Sequence, residues 1–274
     1  MKACALIATY NNARTLEATV LGAREQIDDV IVVDDGSTDG TADLLTGYTD
    51  ARLQMLRQPN AGAAAARNAG LARASGEFIA CLDSDDHWQP YFLEKLVGAL
   101  QAVPAAGFAY CDYTLFGDGV NDVKDCLADD EKLAGDIFPQ LVSGIYLHNC
   151  SLLIRRACLT AVGPLDPRAE PAEDWDMMLR LAYRYEAVYV DDVLLFVRNH
   201  RDNLSHQYIA MRESNLYVLD KLRRDQPEEW LVHRSTVRRL LRQNHRALVS
   251  HYRRRQDVPR VLWHTMQMGV SRWR

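Results

Sequence analysis

The acidic segment at residues 83–86 is the part of this sequence that points most directly to chemistry. Asp83, Asp85 and Asp86 follow the expected strand at residues 77–82, which is apolar from Phe78 onwards. Carboxylates two residues apart can point the same way at the end of a strand, and hard divalent cations take such oxygen ligands together with substrate phosphates. A cation held there would neutralise a diphosphate leaving group. Asp85 or Asp86 could instead cap the helix expected next, so both interpretations stay open.

A second acidic segment, Asp34-Asp35-Gly36-Ser37, ends another apolar run at residues 30–33. Asp-Gly is a common turn, and the alternative is a carboxylate that accepts hydrogen bonds from a nucleobase or ribose. Ligands of an open parallel sheet bind beyond the carboxyl ends of its strands. We therefore expect both acidic segments, together with Thr9-Tyr10 after the first strand, at one rim. Such a negative rim needs a cation or hydrogen-bond donors to offset its charge.

Three further side chains could take part in the same chemistry. Arg67 lies in a stretch of small residues, and its guanidinium could reach a phosphate or pair with one of the aspartates. Asp174 opens a helical stretch, where it could act as a general base or stabilise the helix N-terminus. His200 lies in a loop after the last expected strand, where it could bind a metal or a phosphate, or simply be exposed.

Apolar runs and helical periodicity alternate through the first 104 residues. The expected strands cover residues 3–8, 30–33, 53–57 and 77–82, and the expected helices cover residues 14–26, 38–46, 62–73 and 91–103. Continuous apolar strands separated by helices are typical of a mostly parallel sheet that is covered on both faces. The pattern therefore predicts an α/β fold with the acidic segments at one edge of its sheet.

The pattern is weaker after residue 104. A second region begins at residues 108–116, strands are expected at residues 149–155, 187–190 and 194–198, a loop at 117–136 and a helix at 173–184. Three helices are then expected at residues 208–224, 228–252 and 258–268. The C-terminal quarter is thus predicted to be helical.

Charge is divided unevenly along the 274 residues. Residues 207–274 carry 15 Lys and Arg against 6 Asp and Glu, a net charge of +9, whereas the rest of the chain carries −14. A basic segment of this kind indicates a partner such as anionic lipid, nucleic acid or the acidic body itself, or else a solvated helix face.

The cysteines and the lengths of the apolar segments indicate the cellular compartment of the protein. None of the six cysteines forms a CxxC pair, so we expect reduced core residues in a cytosolic protein and neither a disulfide framework nor a zinc site. The first residues lack the apolar core of a signal peptide, and no stretch approaches the roughly 18 apolar residues of a membrane span. These features predict a cytoplasmic protein, soluble or peripheral on the inner face of the membrane.

Taken in order along the chain, the motifs resemble the family-2 glycosyltransferases of the GT-A fold. The matching strings are ATYNNARTLEATV, VIVVDDGSTDGT, AGAAAARNAGLARASGEFIACLDSDDHW, AEDWDMMLRLA and RNHRDNLS. The resemblance implies an α/β, Rossmann-like GT-A domain at residues 1–205, with a nucleotide-sugar-binding half at 1–104 and an acceptor-binding half at 105–205. Residues 206–274 lie outside the resemblance and are expected to form a basic helical extension.

The resemblance also implies roles for the matching residues. Those implied to bind the nucleotide sugar are Thr9, Tyr10, Asp34, Asp35, Arg67, Asp83, Ser84 and Asp85. A divalent metal, Mn²⁺ or Mg²⁺, is implied at Asp85 and His200, and Asp174 matches the catalytic base. Trp88 and Trp175 are expected to flank the sugar.

The activity implied by the resemblance is inverting transfer of a sugar from a nucleoside diphosphate sugar, UDP-sugar by default. The implied acceptor is a hydroxyl of a glycan or lipid-linked molecule in cell-surface polysaccharide synthesis. A nucleotidyltransferase is one alternative, but the loop Thr9-Tyr10-Asn11-Asn12 lacks the glycines expected of its phosphate loop. A non-catalytic nucleotide-sugar-binding protein is the other, and retention of the acidic motif and Asp174 argues against it.

The basic tail has two interpretations. The run Arg253-Arg254-Arg255 and residues 261–274, with Trp263 and Trp273, could lie on an anionic membrane surface. Alternatively, the tail helices pack on the body or form a homodimer contact. We expect no nucleic-acid partner.

Overall fold

The computed structural model describes residues 3–48, 50–120, 132–144, 147–201, 203 and 207–270. Strands β1 to β8 comprise Ala3–Thr9, Val30–Asp34, Leu53–Arg57, Phe78–Asp83, His87–Trp88, Ala106–Gly117, Leu152–Arg155 and Glu186–Asn199. Helices α1 to α11 comprise Leu16–Arg24, Thr41–Thr46, Ala63–Leu71, Phe92–Ala102, Phe138–Ser143, Arg156–Val162, Glu173–Ala182, Tyr208–Asp225, Pro227–Val232, Arg234–Arg254 and Val258–Val270. Among these helices, none combines the length and the apolar character that crossing a membrane requires.

The eight strands form one sheet in the order β3-β2-β1-β4-β7-β6-β8-β5. β1 pairs in parallel with β2 and β4, and β2 pairs in parallel with β3. β7 runs antiparallel to both of its neighbours, and β5 runs antiparallel to β8. The sheet is therefore mixed: the predicted parallel arrangement holds for β1 to β4, and β7 enters between β4 and β6 in the opposite direction.

Two hydrophobic layers cover the faces of this sheet. On one face α1 and α4 bury Leu16 and Leu96, and on the other α7 and α8 bury Met178 and Leu219. The small residues of α3 allow that helix to pack closely, since a Cβ added at Gly70 would lie 2.5 Å from the Leu6 side chain. The alanine-rich stretch is thus explained by contact with the buried strand β1.

The elements after residue 104 differ most from the sequence prediction. The strands predicted at 187–190 and 194–198 form the single strand β8, which passes the exposed Asp191-Asp192 pair at an irregularity in its pairing with β6. The helix predicted at 228–252 is divided at His233, where the backbone leaves the helical conformation, into α9 and α10. The short helices α5 and α6 were not predicted.

Some predictions concern residues that the structure does not describe. Most of the loop predicted at 117–136 lies outside the described ranges, as do Cys126 and Trp273. The other five cysteines are buried with free thiols, as expected for reduced core residues.

Candidate active site

A cleft of about 510 Å³ opens at the carboxyl ends of β1 and β4. These strands are parallel neighbours with Ala8 opposite Asp83, so the polar residues that follow them meet at one edge of the sheet. Of the residues predicted from the sequence, those that line the cleft are Thr9, Tyr10, Asp35, Arg67, Asp83, Ser84, Asp85, Asp174 and His200. The structure therefore brings together residues separated by up to 191 positions along the chain.

Asp34, predicted to bind the nucleotide sugar, does not line the cleft. Its carboxylate is 1% exposed and accepts a hydrogen bond from the Ser37 backbone N–H at 2.9 Å. The other oxygen of this carboxylate lies 3.3 Å from the Nε of Arg57. Gly36 completes the turn at φ +78°, where a Cβ would lie 2.7 Å from the backbone nitrogen of Asn60. Asp34 thus holds the turn that follows β2.

Asp35 points into the cleft and organises the loop before α3. One carboxylate oxygen accepts from the Gln58 side chain at 2.7 Å and from the Ala61 backbone N–H at 3.0 Å. The second oxygen accepts from the Gly62 backbone N–H at 2.9 Å. The Asp35 backbone N–H in turn donates to the carbonyl of Thr9 at 2.9 Å, which joins the ends of β1 and β2.

Thr9, Tyr10 and Ser84 differ in exposure. Tyr10 is half exposed at the mouth of the cleft, whereas Thr9 and Ser84 are buried. The Ser84 hydroxyl accepts from the Asn12 side chain at 2.8 Å, which ties the loop after β1 to the acidic segment after β4. The loops that follow the two strands are therefore held at a fixed spacing.

Arg67 links two sides of the cleft. Its guanidinium donates to Asp83 Oδ1 at 2.7 Å and to Glu173 Oε1 at 2.6 Å. Burial would raise the pKa of Asp83, but the charges of Arg67 and His148, together with hydrogen bonds with Arg67 and Cys150, outweigh burial and the pKa is lowered. Burial also raises the pKa of Glu173, against the opposing effect of Arg67. The sequence left two roles open for Arg67, contact with a phosphate or pairing with an aspartate. The structure contains the pair with Asp83.

Asp85 and His200 are in direct contact within the cleft. The His200 Nε2 atom lies 2.9 Å from Asp85 Oδ2. Burial, followed by the nearby charge of Asp83, raises the pKa of Asp85. The neighbouring Asp86 is buried and accepts from the Arg198 backbone N–H at 2.8 Å, so the end of β8 is fixed against the acidic segment.

Two groups of side chains in this region have metal-ligating atoms close together. Asp86, His148 and Cys150 offer ligand atoms within 4.8 Å of one another. Burial raises the pKa of Asp86 and of Cys150 well above their ordinary values. The Asp85–His200 pair, which lines the cleft, is the better fit to a divalent cation that also contacts phosphate.

Asp174 lies in the first turn of α7 and lines the cleft. Its side chain is 6% exposed, and Oδ1 accepts from the Trp175 backbone N–H at 2.7 Å. A carboxylate at this end of a helix is stabilised as an anion by the helix dipole. The adjacent Glu173 holds Arg67, so Asp174 has a fixed position relative to the acidic segment after β4.

Several cleft residues were not identified from the sequence. His148 and Asn149 line it, and both polar atoms of the buried Asn149 amide lack a hydrogen-bond partner within the described part of the chain. Glu170 accepts from the backbone N–H groups of Ala63 and Ala64 at the start of α3. The sequence predicts Asn149 as the first residue of a strand. The one sequence signal for a role in the cleft is its amide side chain beside apolar residues.

The two tryptophans expected beside the sugar are placed elsewhere. Trp88 and Trp175 are each 5% exposed and are not among the residues that line the cleft. Their indole N–H groups donate to the carbonyls of Cys150 and Leu141 at 2.9 and 3.0 Å. This expectation was wrong, because large aromatic rings with a satisfied N–H are stable inside the core.

Comparison with known proteins assigns the family. The family model described as glycosyl transferase family 2 matches residues 4–158, more than half of the chain. The chain belongs to glycosyl transferase family 2. This family-2 chain is 30% identical over 177 residues to an uncharacterized glycosyltransferase of Nostoc sp., a match that covers 61% of the chain. It spans only 55% of the length of that relative.

Solved structures of low sequence identity share the fold of this family-2 chain. Staphylococcus aureus TarS 1–349 in complex with UDP-GlcNAc gives a TM-score of 0.67 at 16% identity, covering 95% of this chain and 89% of that one. The mannosyltransferase PcManGT from Pyrobaculum calidifontis, with GDP-Man and Mn²⁺, gives 0.62 at 21% identity, covering 97% and 84%. The predicted α/β GT-A fold is confirmed.

Proposed function

We propose that this chain is a metal-dependent, inverting glycosyltransferase that moves a sugar from a nucleoside diphosphate sugar to a hydroxyl acceptor. The observation that carries the proposal is the meeting of Asp83, Asp85 and His200 with Asp174 in one cleft. Such a cleft offers a cation site, a phosphate site and a carboxylate base close to one another. The comparisons support glycosyl transfer and do not favour the nucleotidyltransferase or binding-protein alternatives.

The donor occupies the half of the cleft built by residues 1–104. Tyr10, half exposed at its mouth, offers a ring face to the nucleobase, and Asp35 is placed to accept a hydrogen bond from a base N–H. Thr9, Ser84 and Asp83 lie deeper, where the ribose and diphosphate follow. Arg67 supports this half by holding Asp83, and Asp34 supports it by holding the turn after β2.

Asp85 and His200 would hold a divalent cation, Mn²⁺ or Mg²⁺. A cation held by these two residues would supply positive charge beside the diphosphate. Two observations support this assignment: the facing oxygen and nitrogen atoms of the pair, and the Mn²⁺ in the PcManGT structure. Asp86 is not assigned to the cation. Its carboxylate fixes the backbone of Arg198.

Asp174 acts as the general base. The acceptor hydroxyl attacks the anomeric carbon while its proton passes to the Asp174 carboxylate. The bond between the anomeric carbon and the diphosphate oxygen breaks, and its electron pair leaves with the nucleoside diphosphate. One displacement from the opposite face inverts the anomeric configuration.

We assign acceptor binding to residues 105–205. Residues 206–274 form a separate basic helical extension in this proposal. The acceptor is a hydroxyl of a glycan or a lipid-linked molecule in cell-surface polysaccharide synthesis. UDP is the default nucleotide, in keeping with the UDP-GlcNAc bound by TarS. Reduced core cysteines support a cytoplasmic location.

The test is calorimetric titration of nucleoside diphosphates into the full chain, with and without Mn²⁺. We expect one nucleotide to bind with Mn²⁺ and the Asp85→Ala variant to lose that metal-dependent binding. Asp43→Ala, which removes an exposed carboxylate from α2, is the matched control and should bind like the wild type. If no nucleotide binds under either condition, the proposed function fails.

A further inference from the structure

Helix α11 presents an apolar stripe to solvent. Val258, Leu262 and Met266 recur at every fourth position and are 59%, 64% and 59% exposed, and Trp263 beside them is 50% exposed. Arg260 lies away from the stripe, with its guanidinium 4.9 Å above the Tyr252 ring and 3.0 Å from the Tyr252 hydroxyl. Exposed apolar side chains grouped in this way mark a surface that contacts a partner or a membrane.

The opposite face of α11 fixes this orientation. His264 is buried, and its Nδ1 lies 2.9 Å from Nδ1 of His245 on α10. The His264 ring also stacks on Tyr252 at a centroid distance of 5.7 Å. Because this inner face is packed, turning the apolar stripe inward would break these contacts.

Three adjacent arginines precede the helix that carries the stripe. Arg253, Arg254 and Arg255 are exposed at the end of α10, directly before α11. Within the described ranges none of them forms an ion pair with a carboxylate, and Arg254 donates to the Ser250 hydroxyl at 3.1 Å. An apolar stripe beside unpaired positive charge matches the chemistry of an anionic lipid surface.

We propose that α11 and the end of α10 dock on an anionic phospholipid membrane. The stripe of Val258, Leu262 and Met266 enters the boundary between headgroups and acyl chains, with Trp263 at the headgroup level. Arg253, Arg254 and Arg255 contact the lipid phosphates. This surface adds a membrane site to the proposed transferase and is separate from the residues of its cleft.

A second copy of the chain is a poorer occupant of the same surface. A twofold contact places the same patch of each subunit against the other. A twofold axis that passes near the three arginines would bring them close to those of the partner, and like charges at short range repel. Lipid phosphates neutralise the arginines instead, so charge complementarity favours the membrane.

The test is co-sedimentation of the full chain with vesicles of phosphatidylcholine, with and without phosphatidylglycerol. We expect binding at least tenfold tighter when phosphatidylglycerol is present. The double variant Leu262→Ser/Met266→Ser should bind about tenfold more weakly or worse, because it removes two exposed apolar side chains that the membrane would bury. Each arginine replaced by glutamine should weaken binding about fivefold.

The matched control is Leu21→Ser/Met55→Ser, which removes an exposed leucine and an exposed methionine from α1 and β3. Leu21 belongs to a helix on the other face of the sheet from α8 and α10, so this variant should bind vesicles like the wild type. Circular dichroism and thermal unfolding confirm that each variant is folded.

Three results would overturn the proposal. The full chain fails to bind vesicles that contain phosphatidylglycerol, or the double variant binds them as tightly as the wild type. The third is concentration-dependent self-association in sedimentation velocity that the double variant abolishes while vesicle binding is unchanged. That outcome would assign the stripe to a contact between copies.

Discussion

The cleft and the C-terminal helices use charged side chains in opposite ways. In the cleft, the buried Arg67 is held between two carboxylates at 2.6 and 2.7 Å. In the tail, Arg253, Arg254 and Arg255 are exposed, and they have no carboxylate partner in the described structure. Charge in the cleft is thus fixed in position before a ligand arrives, as positioning for catalysis requires. Charge in the tail remains free to meet a partner.

The largest expected difference between the two regions is catalytic. Asp174→Asn keeps the shape of the side chain and removes its capacity to take a proton, so kcat should fall about 10²- to 10⁴-fold. Donor binding measured by calorimetry should be retained. Asp225→Asn, which changes an exposed carboxylate at the end of α8, should leave kcat unchanged. A kcat for Asp174→Asn close to that of the wild type would remove Asp174 from the mechanism.

The next difference concerns stability. Arg67→Met leaves Asp83 and Glu173 facing each other without their shared cation, and losing one partner of a buried ion pair costs about 3–5 kcal/mol. Urea unfolding should show this loss in the free energy of unfolding. Arg254→Met in the tail should change the free energy of unfolding by less than about 0.5 kcal/mol. Equal effects of the two substitutions would contradict the contrast between fixed and free charge.

A smaller effect on stability is expected from pH. It arises at His245 and His264, two ionisable side chains that the C-terminal helices bury. Burial, followed by the charge of the neighbouring His264, lowers the pKa of His245 to about 4, and burial lowers that of His264. The unfolded chain, with a histidine pKa near 6.5, therefore binds more protons than the folded chain between these values. The stability contribution is complete above about pH 6.5 and is lost as the pH falls towards 4.

Urea unfolding at pH 7 and pH 5 measures this dependence. We expect the free energy of unfolding to fall by about 1–2 kcal/mol between the two, after allowance for partial solvation of the pair. His245→Phe should flatten the dependence, whereas His251→Gln, on the same helix but outside the pair, should keep it. A fall of the same size in the His245→Phe variant would show that other groups are responsible.

The cleft could be predicted from the sequence because its chemistry follows the ends of parallel strands. Asp83 and Asp85 directly follow the apolar strand β4, and β1 lies beside it, so both polar loops had to meet. The family motifs then extended the prediction to Asp174 and His200, which lie far along the chain. Local apolar runs, strand-end residues and the family motifs thus carried enough information for the α/β fold and for the nine predicted residues that line the cleft.

Other features depend on contacts that a sequence pattern does not contain. Asp34 and Asp35 look equivalent in the sequence, but Asp34 is the last residue of β2 and Asp35 follows the strand, and of the two only Asp35 lines the cleft. Asn149 lies in a short 3₁₀ turn without periodicity. The division between α9 and α10 at His233 carries no glycine or proline at the break, so helical periodicity runs through it.

The Arg67 bridge has a consequence for exchanging parts between related enzymes. One guanidinium joins Asp83, from the half assigned to the donor, with Glu173, from the half assigned to the acceptor. A chimera that imports residues 105–205 from a relative without an acid at the Glu173 position would leave one arm of that guanidinium buried and unmatched. Grafting a new acceptor specificity onto this scaffold therefore requires Arg67 and Glu173 to be transferred, or replaced, as a pair.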